Sequence, residues 1–238
     1  MILTAHQPGY IPWIGLFHKI ALADHFISFN QVQYEVKGWH NRNRIKTNAG
    51  AIWLSVPVLS KGHLTKKLSD IEISNNEPWA KKHYRSIFLA YSKAPYWKRY
   101  ADFFEEVYLK RTWGKLVDLN EFMLRWFLGE LGIKTTFSTM DSYDFQGKKS
   151  DLVLDMCIKT GANSYIFGAL GRDYADVKSF LDSGVTPFFQ DYKHPVYNQL
   201  HGDFISHMSI IDLLVMYGCN SFDILMEGND LKIGHACT

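Results

Sequence analysis

The first 29 residues carry the pattern that most constrains the fold. Residues 2–5 are mainly apolar and predict a short buried strand that ends at His6. Residues 14–23 place apolar side chains at helical spacing, and "HFISF" at 25–29 predicts a second strand. A strand, a helix and a strand in so short a span form a βαβ unit, which implies a parallel sheet with a right-handed crossover.

After the first βαβ unit, the sequence pattern changes from short strands and a polar loop to three consecutive helices. Short strands are predicted at 51–58 and 70–74. The basic, polar segment between them predicts a mobile loop, in which 60–67 is either a lid over a ligand or a disordered crossing. Three amphipathic helical stretches follow between 79 and 131, and prolines mark the starts of the first two. This helical insert spans about 78–132.

The last third of the chain alternates again between strand and helix patterns. Strands are predicted at 135–140, 164–168 and 186–192, and helices at 151–162, 177–185 and 208–218. We therefore predict an α/β fold: one Rossmann-like, three-layer domain over 1–238 with a mostly parallel sheet and the helical insert.

Composition narrows the classes of partner. The formal net charge is only +2, so a nucleic-acid partner is not expected. Three widely spaced cysteines predict neither a disulfide framework nor a zinc knuckle. The start lacks a signal-peptide pattern and no apolar run is long enough to span a bilayer, so a cytoplasmic protein without a membrane span is expected. A homo-oligomer is compatible with all of this.

The first candidate site is the turn "HQPGYIP", which follows the first predicted strand. In open α/β sheets, ligands bind outside the carboxyl ends of the strands. His6 is the expected catalytic residue, donating to a phosphate or to developing negative charge, while Gln7 and Tyr10 are expected to bind the ligand. Two prolines stiffen the turn. The alternative is a histidine and a glutamine that only satisfy a tight turn.

The second candidate site is the basic run "KGWHNRNRIKT". Guanidinium groups match phosphates and carboxylates, and asparagine offers both a donor and an acceptor. In an extended segment the cationic residues would lie on one face and the asparagines on the other. The alternative is a basic edge hairpin that prevents aggregation. The expected binding residues are Asn41, Arg42, Asn43, Arg44 and Lys46.

The third candidate site is the segment "FFQDYKHPVYNQLHGDFISHMSIIDLL" at 188–214, which runs from the last predicted strand into the following helix. We call this segment the late loop. His194 and Asp212 are the expected catalytic proton acceptors. Tyr197, Gln199 and Ser209 are expected to bind the substrate. A rough capping box, with the serine and Asp212 at the start of a helix, is the competing interpretation. The histidines lack HExxH spacing, so no metal site is predicted.

The chain resembles the WbqC-like proteins in the order of several motifs. These are "HQPGYIPWIGLFHKIALADHFI", "VQY" followed by "GWHNRNRIK", "WLSVPV", "YIFGALGRDY", "HPVYNQ" and "SIIDLL". Walker A, GxGxxG and GxSxG motifs are absent. One departure is Asn30, where the resemblance implies that aspartate is common.

The resemblance implies a role in bacterial surface-polysaccharide biosynthesis, such as that of O-antigen and lipopolysaccharide. The expected reaction attaches an amino acid (glycine) or an acyl group to the amine of a nucleotide-linked sugar. ATP with Mg²⁺ would activate the carboxylate as an acyl-adenylate. One alternative is an N-acyltransferase that depends on an acyl carrier or on tRNA. Another is a non-catalytic protein that binds the nucleotide sugar or a pathway partner.

Overall fold

Five parallel strands form the centre of the computed structural model, which describes residues 1–36, 38–59, 62 and 66–229. The strands in this sheet are β1 (Ile2–His6), β2 (His25–Ser28), β5 (Thr136–Thr139), β6 (Ser164–Phe167) and β7 (Thr186–Phe189). Their order across the sheet is β5-β2-β1-β6-β7, and every neighbouring pair is parallel. The predicted α/β class with a mostly parallel sheet is confirmed.

The predicted βαβ unit is present and lies at the middle of the sheet. Helix α1 (Ile14–Ala21) connects β1 to β2 and buries an apolar stripe that includes Ile14, Phe17 and Ile20. Because β1 pairs with β2 on one side and with β6 on the other, the strand order reverses between β1 and β6. Such a reversal opens the crevice in which doubly wound folds bind ligands.

Helices cover both faces of the sheet, which makes a three-layer sandwich. Successive side chains of a strand point to opposite faces. In β2, Phe26 packs into the larger apolar core with α1, whereas Ile27 packs into a second core. The second core is closed by α5 (Ser150–Thr160) and α6 (Val177–Asp182).

Helices occupy most of the segment between β4 (Gly50–Ser55) and β5, which we call the helical insert. It consists of α2 (Trp79–Tyr91), α3 (Trp97–Glu105) and α4 (Leu116–Glu130), and a π-helical turn, Glu106–Lys110, follows α3. Their buried faces join the same apolar core as α1 and α7 (Ile210–Tyr217). Because this core is continuous, the insert helps to fix the residues that follow β1.

The basic run forms an antiparallel hairpin rather than part of the central sheet. Strands β3 (Arg42–Thr47) and β4 (Gly50–Ser55) pair along their whole length. The strand predicted at 70–74 was wrong: Leu68–Asp70 is a 3-10 turn, and only isolated bridges involve the next residues. Alternating apolar residues there pack inward without a ladder partner.

The end of the described chain is helical. Helix α7 (Ile210–Tyr217) was predicted, whereas α8 (Ser221–Met226) was not. No helix in the described ranges is long and apolar enough to cross a membrane. Most of the predicted 60–67 lid, namely residues 60, 61 and 63–65, lies outside the described residues.

Candidate active-site crevice

The candidate site lies where the strand order reverses. Strand β1 ends at His6, and Gly168 directly follows β6. Because the strands are parallel, their carboxyl ends meet at one edge, so the "HQPGYIP" turn begins at the expected crevice.

The side chain of His6 reaches solvent, but protein atoms surround it closely enough for burial to lower its pKa. Its Nδ1 donates to the carbonyl of Gln7 at 2.8 Å, which fixes the tautomer. Burial, and then the neighbouring cation of Lys19, hold the pKa of His6 below its usual 6.5. The ring is therefore neutral near pH 7, and Nε2 carries a lone pair with no protein partner among the described residues. This geometry favours an accepting role for Nε2 over the donating role expected from the sequence.

Lys19 lies beneath this histidine and was not among the predicted site residues. Its side chain is buried, and Nζ donates to the carbonyl of Ala5 at 2.9 Å. A Cβ at Gly168 would lie 4.0 Å from Nζ, which places the amine beside the end of β6. Burial lowers the pKa of Lys19 from 10.5 to about 7. No ion pair of Lys19 is formed within the described ranges, so the amine can serve an anion that enters the crevice.

Two asparagine amides hold the turn that follows His6. Asn43 Nδ2 donates to the carbonyl of Ile11 at 2.8 Å, and Asn120 Nδ2 donates to the carbonyls of Pro8 and His40 at 3.1 and 2.8 Å. Ile11 has φ of 39°, a backbone conformation that side-chain-bearing residues adopt rarely. The amides satisfy buried carbonyls and fix the turn, so Asn43 supports the site rather than facing a ligand.

Tyr10 points away from solvent into the helical insert. Its hydroxyl shares hydrogen bonds with His83 Nδ1 at 2.8 Å and with the hydroxyl of Tyr108. Burial is the main reason why the pKa of Tyr10 lies well above 10. Tyr10, which was predicted to bind the ligand, instead takes part in a buried series of hydrogen bonds that anchors the turn to α2.

Carboxylates lie at the ends of the strands on the other side of β1. Asn30 Nδ2 donates to Asp141 Oδ1 at 2.8 Å and to Glu121 Oε1 at 3.4 Å, and the hydroxyl of Ser28 donates to the same glutamate at 2.7 Å. Ser28 is also the register partner of His6. The crevice is therefore cationic near Lys19 and anionic beyond β2.

The identity of Asn30 matters for this acidic side. Burial raises the pKa of Glu121, and hydrogen bonds, chiefly from Asn30, lower the pKa of Asp141. An aspartate at position 30 would replace a shared donor with a third negative charge. The amide therefore bridges these two carboxylates, and the neighbouring cation of Arg125 also favours the charged form of Glu121.

The cationic residues of the basic run divide into two environments. The guanidinium carbons of Arg42 and Arg44 lie 4.7 and 5.7 Å from the ring centroid of Trp53 on the outer face of the hairpin. Lys46 is buried instead, and its Nζ donates to Gln199 Oε1 at 2.9 Å. Asn41 donates to the carbonyl of Val56 at 2.8 Å and supports the hairpin.

Both ring nitrogens of His194 have protein partners. Nδ1 donates to the carbonyl of Pro195 at 2.8 Å, and Nε2 accepts from the backbone N–H of His207 at 3.1 Å. The imidazole ring of His194 stacks with the ring of Tyr197, and burial lowers the pKa of His194. A substrate that used His194 as a base would first have to displace one of these hydrogen bonds.

Asp212 lies in a sealed polar network with no exposed surface. Gln199 Nε2 donates to Asp212 Oδ2 at 2.8 Å and to the carbonyl of Ile205 at 2.9 Å, while its Oε1 accepts from Lys46. Burial raises the pKa of Asp212, and hydrogen bonds from Gln199, Tyr197 and Tyr91 oppose this. The network joins the hairpin, the late loop and α7, which is what a structural clamp requires.

Ser209 caps α7, as the competing interpretation expected. Its hydroxyl accepts from the N–H of Ile211 at 3.3 Å, and its own N–H donates to the carbonyl of Arg44 at 2.9 Å. Asp212 does not complete a capping box, because its carboxylate binds Gln199 instead. Ser209 thus connects the late loop to the hairpin.

The structure therefore brings His6, Gln7 and the start of the basic hairpin together around one turn, whereas Lys46 of the same hairpin belongs to the buried network of Asp212. Sequence reasoning missed Lys19, Glu121, Asp141 and Asn120. Only Lys19 carried a local signal, since it follows the predicted turn within the βαβ unit. In the ranges described, no cluster of three or more His, Cys, Asp or Glu side chains is arranged to hold a metal ion.

Comparison with known proteins gives a consistent family match. The model of the WbqC-like protein family matches residues 7–224. The uncharacterized protein Rv1507c of Mycobacterium tuberculosis is 34% identical over 220 residues, which cover 92% of this chain and 95% of that protein. No solved structure matches the chain.

Proposed function

Because the chain belongs to the WbqC-like protein family, we propose that it is an enzyme that modifies a nucleotide-linked amino sugar. The reaction transfers an amino acid (glycine) or an acyl group to the sugar amine during the synthesis of a bacterial surface polysaccharide. The observation that carries this proposal is the pair of His6 and Lys19 at the strand-order reversal. A neutral imidazole with a solvent-accessible lone pair lies beside a buried amine that has no carboxylate partner among the described residues.

Amide formation needs a base for the attacking amine. An ammonium group has no lone pair, so it must lose a proton before it attacks a carbonyl carbon. Nε2 of His6 can take this proton, because Nδ1 already donates to Gln7 and the ring is neutral. The carboxylates of Glu121 and Asp141 would attract the ammonium to the neighbouring side of the crevice.

The same step places negative charge on the carbonyl oxygen. As the amine nitrogen bonds to the carbonyl carbon, the oxygen becomes an oxyanion, and a fixed cation nearby stabilises it. Lys19 supplies that cation when it is protonated, and its burial strengthens the interaction. The tetrahedral intermediate then collapses and expels AMP, or the thiol or tRNA end of a carrier.

The acyl or aminoacyl group can come from more than one kind of activated donor. Joining a free carboxylate to an amine is uphill in water, so the carboxylate must arrive activated. ATP with Mg²⁺ would supply an acyl-adenylate, and an acyl carrier or an aminoacyl-tRNA would supply a preformed ester. A cytoplasmic location belongs to the same proposal, since the described thiols of Cys157 and Cys219 are unpaired.

Product analysis by mass spectrometry tests this function. The protein is incubated with UDP-linked, dTDP-linked and GDP-linked amino sugars and an amino-acid mixture, with and without ATP and Mg²⁺. We expect a nucleotide sugar that has gained one aminoacyl residue, and we expect Lys178→Met, a change at an exposed lysine, to leave the yield unchanged. Lys19→Met should abolish most of it.

Two outcomes would count against the proposal. Binding of the nucleotide sugars without turnover, with every donor type supplied, would make the protein a binding protein. Equal yields from the Lys19→Met and Lys178→Met variants would remove the buried amine from the reaction. Product formed only with an acyl carrier or a charged tRNA would keep the transfer and exclude the ATP route.

A further inference from the structure

We propose that Trp39 and Trp53, together with Arg42 and Arg44, form the subsite for the nucleoside diphosphate of the substrate. The base stacks on the tryptophans, and the diphosphate pairs with the guanidinium groups. The inference rests on the proposed function for the identity of the ligand. We call these four residues the Trp–Arg platform.

The two tryptophans are exposed where burial would be expected. Trp39 and Trp53 keep 54% and 47% of their surface accessible to solvent, although indole is among the largest apolar side chains. Their ring centroids lie 5.3 Å apart with an interplanar angle of 39°. Two neighbouring exposed indoles provide a broad π surface of the kind on which nucleobases stack.

The hairpin register places the cations beside this surface. Arg44 is the direct partner of Trp53 across the two strands, and Arg42 lies two residues away on the same face. Both guanidinium groups lie within 6 Å of the Trp53 ring centroid, where cation–π attraction holds them. Arginine held in this way matches a phosphate oxygen pair through its planar fork.

Charge favours an anionic occupant. Within the described ranges no ion pair involves Arg44, so a diphosphate would not have to displace a carboxylate from it. Arg44 also acts as a positive neighbour that lowers the pKa of His207, after burial as the main cause. The electrostatics of the platform are therefore those of an anion site rather than of a purely apolar contact.

The platform is joined directly to the crevice. The carbonyl of Trp39 accepts from the N–H of Tyr10 at 3.3 Å, inside the turn that follows His6. The next residue, His40, is near enough to lower the pKa of His6. A base on the rim and a sugar amine at His6 thus belong to one continuous ligand path along the turn.

Calorimetry and tryptophan fluorescence with defined probes test the platform. UDP, ADP, GDP and dTDP are titrated into the full chain, with inorganic pyrophosphate as the probe that lacks a base. We expect at least one nucleoside diphosphate to bind tighter than pyrophosphate and to quench tryptophan emission. Trp39→Ala and Trp53→Ala should each weaken that binding roughly 5- to 150-fold, the fold-change for about 1–3 kcal/mol per stacked base.

Phe88→Ala is the matched control, because it removes an exposed aromatic ring on α2. It should bind the nucleotide as the wild type does. Pyrophosphate binding that equals every nucleotide would overturn the stacking part of the proposal. Self-association in sedimentation that Trp39→Ala abolishes would overturn it too, since the platform would then be an interface between copies. Failure of sugar modification with nucleotide binding intact would contradict only the proposed reaction.

Discussion

The turn after β1 and the late loop both carry histidines and other polar side chains, but they hold them in opposite states. At the turn, His6 is accessible and its Nε2 has no partner among the described residues, and Lys19 below it forms no ion pair there. In the late loop, both nitrogens of His194 are bonded and Asp212 is sealed by Gln199. Polar residues that satisfy one another hold a fold, whereas polar residues left open beside a crevice are available to a ligand.

The Gln199 network shows why a polar motif alone does not identify a site. Gln199 uses its whole amide: Nε2 donates to Asp212 and Ile205, and Oε1 accepts from Lys46 and from the N–H of Ile205. The amide of Gln199 is thus satisfied within the fold, although Asp212 Oδ1 is buried without a hydrogen-bond partner among the described residues. Variants that change one of these two regions and leave the other intact therefore test whether only the turn after β1 is open to a ligand.

The largest effect is expected in the pH dependence of stability at Lys19. Its pKa is about 7 in the folded protein, against 10.5 as the ordinary value. Between these values the unfolded chain binds one more proton than the folded chain, so the free energy of unfolding rises with pH, by at most about 1.4 kcal/mol per pH unit. Below pH 7 both states are protonated, and this contribution to the slope disappears.

Denaturant unfolding across pH 6–11 checks this prediction. Lys19→Met should lack the rise between about pH 7 and 10.5, whereas Lys178→Met should keep it. Identical slopes in the two variants would show that Lys19 titrates normally. Because the same pKa sets the charge of the proposed oxyanion site, turnover should also decline as pH rises above about 7.

Removing the imidazole at the turn should affect turnover more than stability. His6→Ala is expected to reduce turnover by about 10²–10³-fold, the range for the loss of one positioned catalytic group. The melting temperature should change little, since the ring is accessible and makes one local hydrogen bond. His6→Gln is the control, because it keeps a hydrogen-bonding side chain of similar size while it removes the base. If His6→Ala lowers the melting temperature and leaves turnover at the wild-type level, His6 serves the fold and not the reaction.

Removing the centre of the late-loop network should do the reverse. Gln199→Leu leaves Asp212 and Lys46 without a shared partner, so we expect the free energy of unfolding to fall by about 1.5–3 kcal/mol. Turnover per folded molecule should stay within a few-fold of wild type. Gln146→Leu changes an exposed glutamine and serves as the control in urea unfolding. A selective loss of turnover in Gln199→Leu would move the active site toward the late loop.

The smallest effect is expected at His194. His194→Phe keeps the aromatic contacts with Trp13 and Tyr197 but removes two hydrogen bonds. We expect a loss of about 1–3 kcal/mol in the free energy of unfolding, because each of the two neutral hydrogen bonds contributes roughly 0.5–1.5 kcal/mol. Steady-state kinetics should show nearly unchanged turnover; a hundredfold fall would restore His194 as a catalytic base.

The elements that the sequence predicted well are those specified by local patterns. The βαβ unit was found because the stripe of Ile14, Phe17 and Ile20 recurs at helical spacing between two apolar runs. The strand predicted at 70–74 was wrong because alternation specifies a buried face, but not a partner strand. The order of the sheet depends on pairings between residues more than a hundred positions apart, such as that of β1 with β6, which no local pattern encodes.

The candidate site was predictable in part for the same reason. Its turn and basic run were visible as motifs. The predicted alternation agrees with the half-buried Arg42 and Arg44 and the buried Asn43, but not with Lys46, which is buried. The role of Asn43 as a support for the turn depends on a contact with Ile11 that only the fold creates. Lys19 was missed because a single lysine in an amphipathic helix normally faces water, and its burial beside Gly168 follows from the packing of α1 on the sheet.

Nitrogen-15 NMR of the histidine side chains tests the central distinction most directly, with His6→Gln and His194→Gln spectra to assign the signals. At neutral pH we predict that both rings are neutral and protonated at Nδ1. Addition of the nucleotide-linked amino sugar should shift the Nε2 signal of His6 and leave that of His194 in place. A His194 signal that moves while the His6 signal stays unchanged would contradict the account, because the open site would then be the late loop.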